Sequence, residues 1–205
     1  NASRKLFLRN IMHELKTPIT KGRLAAEMIE KSKNQERLVS VFIKLENLIN
    51  EFAAVEQVTS SIALNNTKIC RIDDVIDEAL DIAMVDPGQV TISKLEDVNL
   101  KADFKLLAIA AKNMIDNALK YSPNMHVNIT ITRESIKFIN EGERLSKELR
   151  HYVEPFTKGE SAQKSFGLGL YIVENIIKAH KLTLGYEYKN GLNVFSFENL
   201  QNIAA

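Results

Sequence analysis

The first sixty residues carry apolar side chains that recur at intervals of three and four. Two such runs, over residues 3–33 and 38–55, are separated by a short polar break at residues 33–35. This spacing places the apolar side chains on one face of an α-helix, so it predicts two amphipathic helices joined in an antiparallel hairpin. A hairpin is too shallow to bury both apolar faces. The pattern therefore predicts a homodimer in which two copies form a four-helix bundle.

The pattern changes after a polar stretch at residues 61–68, which predicts a linker. Apolar and polar residues alternate over 127–131, as in a half-buried strand, and Asn190-Gly191 between two apolar runs indicates a β-hairpin. Asp103 can cap a following helix. We expect helices over 73–84, 103–121 and 168–181. We expect strands over 127–131, 136–139, 182–188 and 192–197, and a further strand that starts at residue 90.

The predicted fold class is therefore α+β, with a helical hairpin over residues 1–60, a linker over 61–68 and a two-layer α/β sandwich over 69–205. The composition is typical of a globular protein, because 45% of the 205 residues are hydrophobic and 26% are charged. A net charge of +1 gives no reason to expect nucleic acid as a partner. The single cysteine, Cys70, excludes an internal disulfide and fits a reducing compartment.

No apolar run in the sequence is long enough to cross a bilayer. The first twelve residues already have a helical pattern, with no capping residue before them. We therefore expect further chain upstream of this segment.

His13, Glu14, Thr17 and Pro18 form the first cluster of chemically capable residues. On a helix His13 and Thr17 share one face, and Glu14 is adjacent to the histidine. A neutral imidazole is a nucleophile near pH 7, and a carboxylate bonded to its other nitrogen can fix the tautomer and accept the proton. Pro18 has no N–H for the carbonyl of Glu14 and should loosen this turn. From these residues alone, a surface histidine beside an incidental glutamate remains an open alternative.

A second cluster, Asn113, Asn117, Lys120 and Tyr121, falls on the helix predicted after Asp103. Positions i, i+4, i+7 and i+8 form one polar stripe, and the apolar residues of the helix lie on another side. An amide oxygen can coordinate Mg²⁺ while phosphates supply the negative charge, and a lysine can contact those phosphates. The alternative is an ordinary solvated helix face.

The turn Gly167-Leu168-Gly169 forms a third cluster at the entry of another predicted helix. Glycines there let backbone amides approach a phosphate, and the helix N-terminus favours an anion. The alternative is a simple helix-entry turn.

Taken in order, these segments resemble the sequence boxes of bacterial sensor histidine kinases. Residues 7–19 resemble the H-box F-x-x-x-x-[SA]-H-E-L-[RK]-T-P-[LI], and residues 113–122 match the N-box N-x-x-x-N-A-x-K-Y-S completely. Residues 154–159 resemble the F-box, and residues 165–170 resemble the G2 box with Ser165 for its first glycine. The resemblance spans about residues 3–198. It implies a dimeric phosphoacceptor hairpin followed by an ATP-binding domain of the Bergerat, or GHKL, type.

The resemblance also implies a role for each site residue. His13 would accept the phosphoryl group, Glu14 would be the base, and Thr17 would position water for removing phosphate from a partner. Asn117 would be the principal Mg²⁺ ligand, and residues 142–167 would form a mobile lid over the nucleotide. The residues implied to contact ATP are Asn113, Asn117, Lys120, Tyr121, Asn140, Gly142, Lys158, Gly167, Leu168 and Gly169.

Residues 139–145 occupy the place of the family's D-x-G-x-G box and depart from it twice. Asn140 replaces the aspartate that accepts a hydrogen bond from the adenine amino group, and Arg144 replaces the second glycine. A neutral acceptor contributes about 0.5–1.5 kcal/mol where a charged one contributes about 1.5–3 kcal/mol. We therefore expect ATP binding to be weaker by roughly tenfold and to be improved by Asn140→Asp.

The resemblance implies ATP-dependent autophosphorylation of His13, transfer of the phosphoryl group to an aspartate of a response regulator, and phosphatase activity toward that regulator. The implied cofactors are ATP and Mg²⁺, and the implied partners are a second copy of the chain and the regulator's receiver domain. The full-length protein is expected to be membrane-anchored, with this part on the cytoplasmic side of the bacterial inner membrane. Two alternatives stay open: a degenerate kinase acting as a dimeric scaffold, and an ATPase or serine kinase with the same nucleotide-binding fold.

Overall fold

The computed structural model of the chain describes residues 2–60, 66–154 and 168–205. Within the first sixty residues it describes the side chains of residues 14–43, 45, 46 and 49. The chain divides into two units, Asn1–Ser60 and Ser61–Ala205. Among the described helices, none has the length and apolar character needed to span a membrane.

Helices α1 (Ala2–Glu27) and α2 (Lys33–Ser60) form a hairpin in the first unit. They are joined at residues 28–32, so the break predicted at residues 33–35 is wrong. Ser32 explains the difference, because its Oγ accepts a hydrogen bond from the backbone N–H of Gln35 at 3.1 Å and caps α2. The Gln35 side chain in turn donates to the carbonyl of Ala26 at 3.1 Å, near the end of α1.

Gly22 and Phe42 mark a close approach of the two helices. A Cβ atom on Gly22 would lie 2.5 Å from Phe42 Cε1, so the glycine makes room for the ring. Glu46 of α2 joins the helices by polar contacts: it accepts a hydrogen bond from Thr20 Oγ1 at 2.8 Å, and its other oxygen lies 3.2 Å from Arg23 Nε. A tight apolar contact and a polar cluster thus join the two helices within one chain.

Most of the described apolar side chains of the hairpin remain exposed in the single chain. Ala26 and Ile49 are buried, whereas Met28 is 88% exposed. The large apolar residues that stay exposed are Leu15, Leu24, Met28, Ile29, Leu38, Val41, Ile43 and Leu45. One copy of the hairpin thus leaves an apolar surface uncovered.

In the described part of the second unit, residues 66–154 and 168–205, there are seven strands and four α-helices. The strands are β1 (Lys68–Arg71), β2 (Val90–Lys94), β3 (Asn99–Ala102), β4 (Val127–Ile131), β5 (Ser135–Glu141), β6 (Thr183–Lys189) and β7 (Leu192–Glu198). The helices are α3 (Ile72–Ala83), α4 (Phe104–Tyr121), α5 (Leu149–Tyr152) and α6 (Gly169–Ala179).

Five of these strands form a mixed sheet in the order β2-β4-β5-β7-β6, in which β2 and β4 are parallel and the other pairs are antiparallel. Burial alternates along β4, where Val127, Ile129 and Ile131 are buried and Asn128 is exposed. Helix α4 contacts β4 and β5, α6 contacts β6, and α3 packs on α4. The predicted two-layer α/β sandwich is confirmed.

The hairpin of β6 and β7 has the turn that its sequence predicts. Asn190 and Gly191 both have positive φ, 53° and 81°, as the tight turn between two antiparallel strands requires.

A small second sheet was not predicted from the sequence. Strands β1 and β3 pair antiparallel, and the C-terminal residues extend this sheet on the free edge of β3. The N–H of Lys101 donates to the carbonyl of Ile203 at 2.6 Å, and the N–H of Ala205 donates to the carbonyl of Asn99 at 2.9 Å. Lys68, placed at the end of the predicted linker, is instead the first residue of β1. Four-residue strands are too short to give a periodic signal.

Candidate functional site

Helix α4 carries the candidate nucleotide site along one of its faces. Its start is fixed by Asp103, whose side chain accepts a hydrogen bond from the N–H of Leu106 at 3.2 Å, as the sequence predicts. Asn113, Asn117 and Tyr121 are spaced by four residues and face the same way over about 12 Å of helix. The predicted apolar side is buried in the core: Leu107, Ala111, Met114 and Ala118.

One end of the site is formed where the start of α6 meets Asn113 and Asn117. A Cβ atom on Gly169 would lie 3.4 Å from Asn113 Oδ1 and 3.7 Å from Asn117 Nδ2, so the glycine backbone passes close to both amides. Asn113 Nδ2 donates to the carbonyl of Ile109 at 2.8 Å, which turns its Oδ1 toward Gly169. Leu168, only 1% exposed, anchors the turn in the core. The structure thus brings together two sequence clusters that lie more than fifty residues apart.

Asn117 is the residue of this end that is available to a ligand. Its side chain is partly exposed, and within the described part of the chain it has no hydrogen-bond partner. Asn117 therefore offers an amide oxygen beside a glycine backbone, which suits a hydrated divalent cation whose other ligands come from phosphates and water.

The other end of the site lies at the C-terminus of α4. Gly142 follows β5 and approaches α4 so closely that a Cβ atom on it would lie 2.9 Å from the carbonyl oxygen of Tyr121. Asn140, two residues earlier, is only 4% exposed, and its Nδ2 donates to the carbonyl of Glu141 at 2.7 Å. This hydrogen bond fixes the amide orientation. Oδ1 of Asn140 is then the atom that can still accept a hydrogen bond.

Lys120 and Tyr121 are exposed at this end of α4. Lys120 Nζ lies 4.8 Å from the centroid of the Tyr121 ring, and that ring is 42% exposed. An exposed aromatic ring beside a cation can stack on a base and contact an anionic group. Arg144, by contrast, is exposed beyond Gly142 without a described ion pair.

His180 is a buried residue that the sequence reasoning did not place in the site. Its Nε2 accepts a hydrogen bond from the N–H of Asp103 at 3.0 Å, and its Nδ1 donates to the carbonyl of Ile176 at 2.8 Å. It therefore joins the start of α4 to the end of α6. Burial lowers the pKa of His180 below its usual value of 6.5. The sequence signals that could have found it are its place at the end of an apolar helix and its continuation of the family's pattern after the G2 box.

The cluster that contains His13 lies in the other unit. Residue 13 is in α1, although the His13 side chain lies outside the described residues. Glu14 and Thr17 are exposed, and helix α1 continues without a break through Pro18. Lys158, Gly167 and the rest of residues 155–167, which belong to the predicted lid, also lie outside the described residues.

Comparisons with known proteins agree with both units. The His Kinase A (phospho-acceptor) domain model matches residues 3–88, and the model of the histidine kinase-, DNA gyrase B- and HSP90-like ATPase matches residues 102–199. Sensor histidine kinase ArsS of Helicobacter pylori is 36% identical over 203 residues, 97% of this chain and 48% of ArsS. Heme sensor protein HssS of Staphylococcus epidermidis is 26% identical over 192 residues, 86% of this chain and 43% of HssS.

Solved structures share the same fold. Histidine kinase AdeS of Acinetobacter baumannii has a TM-score of 0.61 at 22% identity, and the match covers 92% of this chain and 98% of the AdeS chain. Full-length ShkA, solved with AMPPNP, has a TM-score of 0.62 at 20% identity, over 97% of this chain and 46% of ShkA.

From residue 3 on, the helical hairpin lies within the match to the phospho-acceptor domain model, and the α/β unit contains the match to the ATPase model that follows it along the chain. The chain belongs to the sensor histidine kinase family. It spans about half the length of the curated relatives named above.

Proposed function

We propose that this chain binds ATP in its α/β unit and transfers the γ-phosphoryl group to His13. The observation that carries the proposal is the convergence of Asn113, Asn117 and Gly169 at one end of α4. An ATPase unit with this site occurs here in the same chain as the sequence His13-Glu14-Leu15-Lys16-Thr17-Pro18. The pairing of these two features is what a kinase that phosphorylates itself on histidine needs.

The described residues suggest how the nucleotide would be held. Asn140 Oδ1 would accept a hydrogen bond from the adenine amino group, and Gly142 would admit the base close to the end of α4. Tyr121 would lie against the nucleotide, and Lys120 and Asn113 would meet its phosphates. This assignment places the base and the Mg²⁺-bearing phosphates toward opposite ends of the roughly 12 Å polar face of α4.

Asn117 is the residue that would hold Mg²⁺. The ion would neutralise charge on the β- and γ-phosphates when bound. A neutral amide fits this task, since the triphosphate itself supplies the anionic ligands.

The chemistry at His13 is a single displacement. The neutral imidazole nitrogen attacks the γ-phosphorus, the new N–P bond forms as the bond to the β-γ bridging oxygen breaks, and ADP leaves. Glu14 would hold the other imidazole nitrogen in the correct tautomer and accept its proton. The protein contributes positioning and charge stabilisation.

The partners of this reaction are proposed from the same features. A second copy of the chain would cover the exposed apolar residues of the hairpin and complete a four-helix bundle. A response regulator would receive the phosphoryl group on an aspartate, and Thr17 would position water for its later hydrolysis. The full-length protein would be anchored in the bacterial inner membrane, with these units on the cytoplasmic side.

Asn140 and Arg144 favour a second candidate function. A chain whose adenine acceptor is neutral could bind ATP too weakly to run the reaction and serve as a dimeric scaffold. The two functions differ in whether the chain labels itself.

Incubation with γ-labelled ATP and Mg²⁺ tests the proposal. We expect label that is stable in alkali and labile in acid, absent from His13→Ala and lost in Asn117→Ala. Asn128→Ala, which changes an exposed asparagine on β4, is the matched control and should label normally. No label on the wild type would favour the scaffold. Label that survives His13→Ala would indicate a serine kinase or another acceptor.

A further inference from the structure

Residues 143–145, which follow the adenine end of the site, are tied to the β6–β7 hairpin by two side chains. Tyr186 on β6 accepts a hydrogen bond from the N–H of Leu145 at 3.0 Å and donates its own hydroxyl proton to Asn193 Oδ1 at 2.8 Å. Asn193 on β7 donates from Nδ2 to the carbonyl of Glu143 at 3.1 Å. We call this pair, Tyr186 and Asn193, the clamp.

The burial and hydrogen bonding of the clamp residues distinguish the clamp from a chance surface contact. Asn193 is only 5% exposed, and a buried amide costs free energy unless its polar atoms are paired. Both ends of its side chain are paired here, one with Tyr186 and one with the loop backbone. The Tyr186 ring packs on Phe195 with 4.8 Å between ring centroids, which fixes where its hydroxyl points. The loop backbone therefore completes the pairing of a buried polar group in the sheet.

The clamp lies directly beside the residues proposed to meet the base. Asn193 pairs in register with Asn140 on the neighbouring strand. A Cβ atom on Gly142 would lie 3.1 Å from Asn193 Nδ2 as well as 2.9 Å from the Tyr121 carbonyl oxygen. The N–H of Gly142 also donates to the carbonyl of Gly191 in the hairpin turn, at 3.3 Å. Any shift of residues 143–145 would thus move Gly142 relative to α4.

We propose that Tyr186 and Asn193 are positioning residues that hold residues 143–145 in place, so that Asn140 and Gly142 present a preformed base site. This proposal rests on the function proposed above. A preformed site binds more tightly, because binding does not have to order the loop and so loses no free energy to that ordering. The clamp's hydrogen bonds go to the backbone of residues 143 and 145, and none of them involves a residue proposed to meet the phosphates. Loss of the clamp should therefore weaken ATP binding and leave the chemical step nearly unchanged.

Tyr186→Phe is the sharpest test, because it removes one hydroxyl and both of its hydrogen bonds while keeping the ring. Tyr188→Phe is the matched control, since Tyr188 lies two residues along the same strand and is exposed. We expect Tyr186→Phe to raise the Kd and KM for ATP with Mg²⁺ roughly five- to tenfold, with kcat within about twofold of wild type. Tyr188→Phe should leave all three values unchanged.

Hydrogen exchange of the Leu145 amide supplies a readout that is independent of nucleotide. It should be faster by about tenfold or more in Tyr186→Phe, because that amide loses its acceptor. An unchanged Kd in Tyr186→Phe would overturn the positioning role, as would a loss of kcat with unchanged Kd. Equal effects in Tyr186→Phe and Tyr188→Phe would overturn it too. A wild type that binds no ATP would instead overturn the proposed function, while the exchange rates would still show whether the clamp holds the loop.

Discussion

The hairpin and the α/β unit bury their apolar residues in different ways. In the α/β unit most of the large apolar residues of α4, β4 and β5 are buried within a single chain. In the hairpin, the described side chains that are buried are Ala26 and Ile49, and eight large apolar ones are exposed. A sheet covered by helices makes a core by itself, whereas two helices do not. The comparison teaches that the described α/β unit buries a core within one copy, whereas the described part of the hairpin leaves large apolar side chains uncovered.

Separating the two units should give the largest effect. Residues 61–205 alone should unfold at a temperature that does not depend on protein concentration, because their core is internal. Residues 1–60 alone should lose helix on dilution, because their apolar faces need a second copy. Circular dichroism at several concentrations measures both. A hairpin that stays helical and monomeric at the lowest concentration would break the comparison.

His180→Ala should destabilise the α/β unit by about 1–3 kcal/mol near pH 7.5, because the part-buried N–H of Asp103 loses its acceptor, the Nε2 of the buried His180. The substitution should also change the pH dependence. The folded-state pKa of His180 lies below 6.5. As the pH falls below 6.5, the unfolded chain therefore binds a proton at this residue more readily than the folded chain does. Wild-type stability should therefore fall as the pH drops through about 6.5, and the variant should show less of this loss.

Denaturant unfolding at pH 7.5 and 5.5 checks the His180 prediction. Asp73 does not affect the comparison between these two pH values. Its hydrogen bond to Lys94 lowers its pKa below 3.8, so its contribution to stability is lost only at more acid pH. Coulombic attraction by Asp103 opposes the effect of burial on His180 but is the smaller influence. Identical pH slopes for the two proteins would count against His180 as the source.

Glu46→Ala should destabilise the hairpin by about 1–2 kcal/mol, because Thr20 and Arg23 both lose a partner on the facing helix. Glu46→Gln keeps an acceptor for Thr20 and should cost less. Urea unfolding of the two variants, at one protein concentration, measures the difference. Equal stability of Glu46→Ala and wild type would mean that the contacts between copies carry all of the hairpin's stability.

Asn140→Asp should give the smallest change. The sequence alone predicts a gain in ATP affinity of roughly tenfold. The structure reduces this expectation, because an aspartate would lose the hydrogen bond to the Glu141 carbonyl and place its carboxylate against that oxygen. We expect a gain clearly below tenfold, measured as the Kd for ATP, with Asn128→Asp as an exposed control. A gain of tenfold or more would mean that Asn140 reorients when the nucleotide binds.

Much of the fold could be predicted because its elements have strong local signals. Helix α4 has a capping aspartate and regular apolar spacing, and β4 alternates cleanly, so both were found within a residue or two. The break between α1 and α2 was misplaced because the first helix was extended on polar and apolar spacing through Ser32, which instead caps α2 three residues before Gln35. Strands β1 and β3 were missed because their pairing joins segments about thirty residues apart and each is only four residues long.

The site was predictable in its residues but not in its geometry. Spacing along α4 places Asn113, Asn117 and Tyr121 on one face, but nothing local to α4 brings Gly169 or Gly142 against it. His180 and Asn193 act through hydrogen bonds to backbone groups far away in sequence, so their residue types could not reveal these contacts. The order of the sequence boxes along the chain grouped these residues into one site, which the spacing within a single helix could not do.

The most direct test of the central claim is to locate the phosphoryl group. The wild-type chain would be incubated with ATP and Mg²⁺, digested at neutral to alkaline pH and mapped by mass spectrometry. We predict phosphate on the peptide that contains His13, on the imidazole. Phosphate on a serine or threonine instead, or a chain that binds ATP with no phosphate on any peptide, would contradict the account.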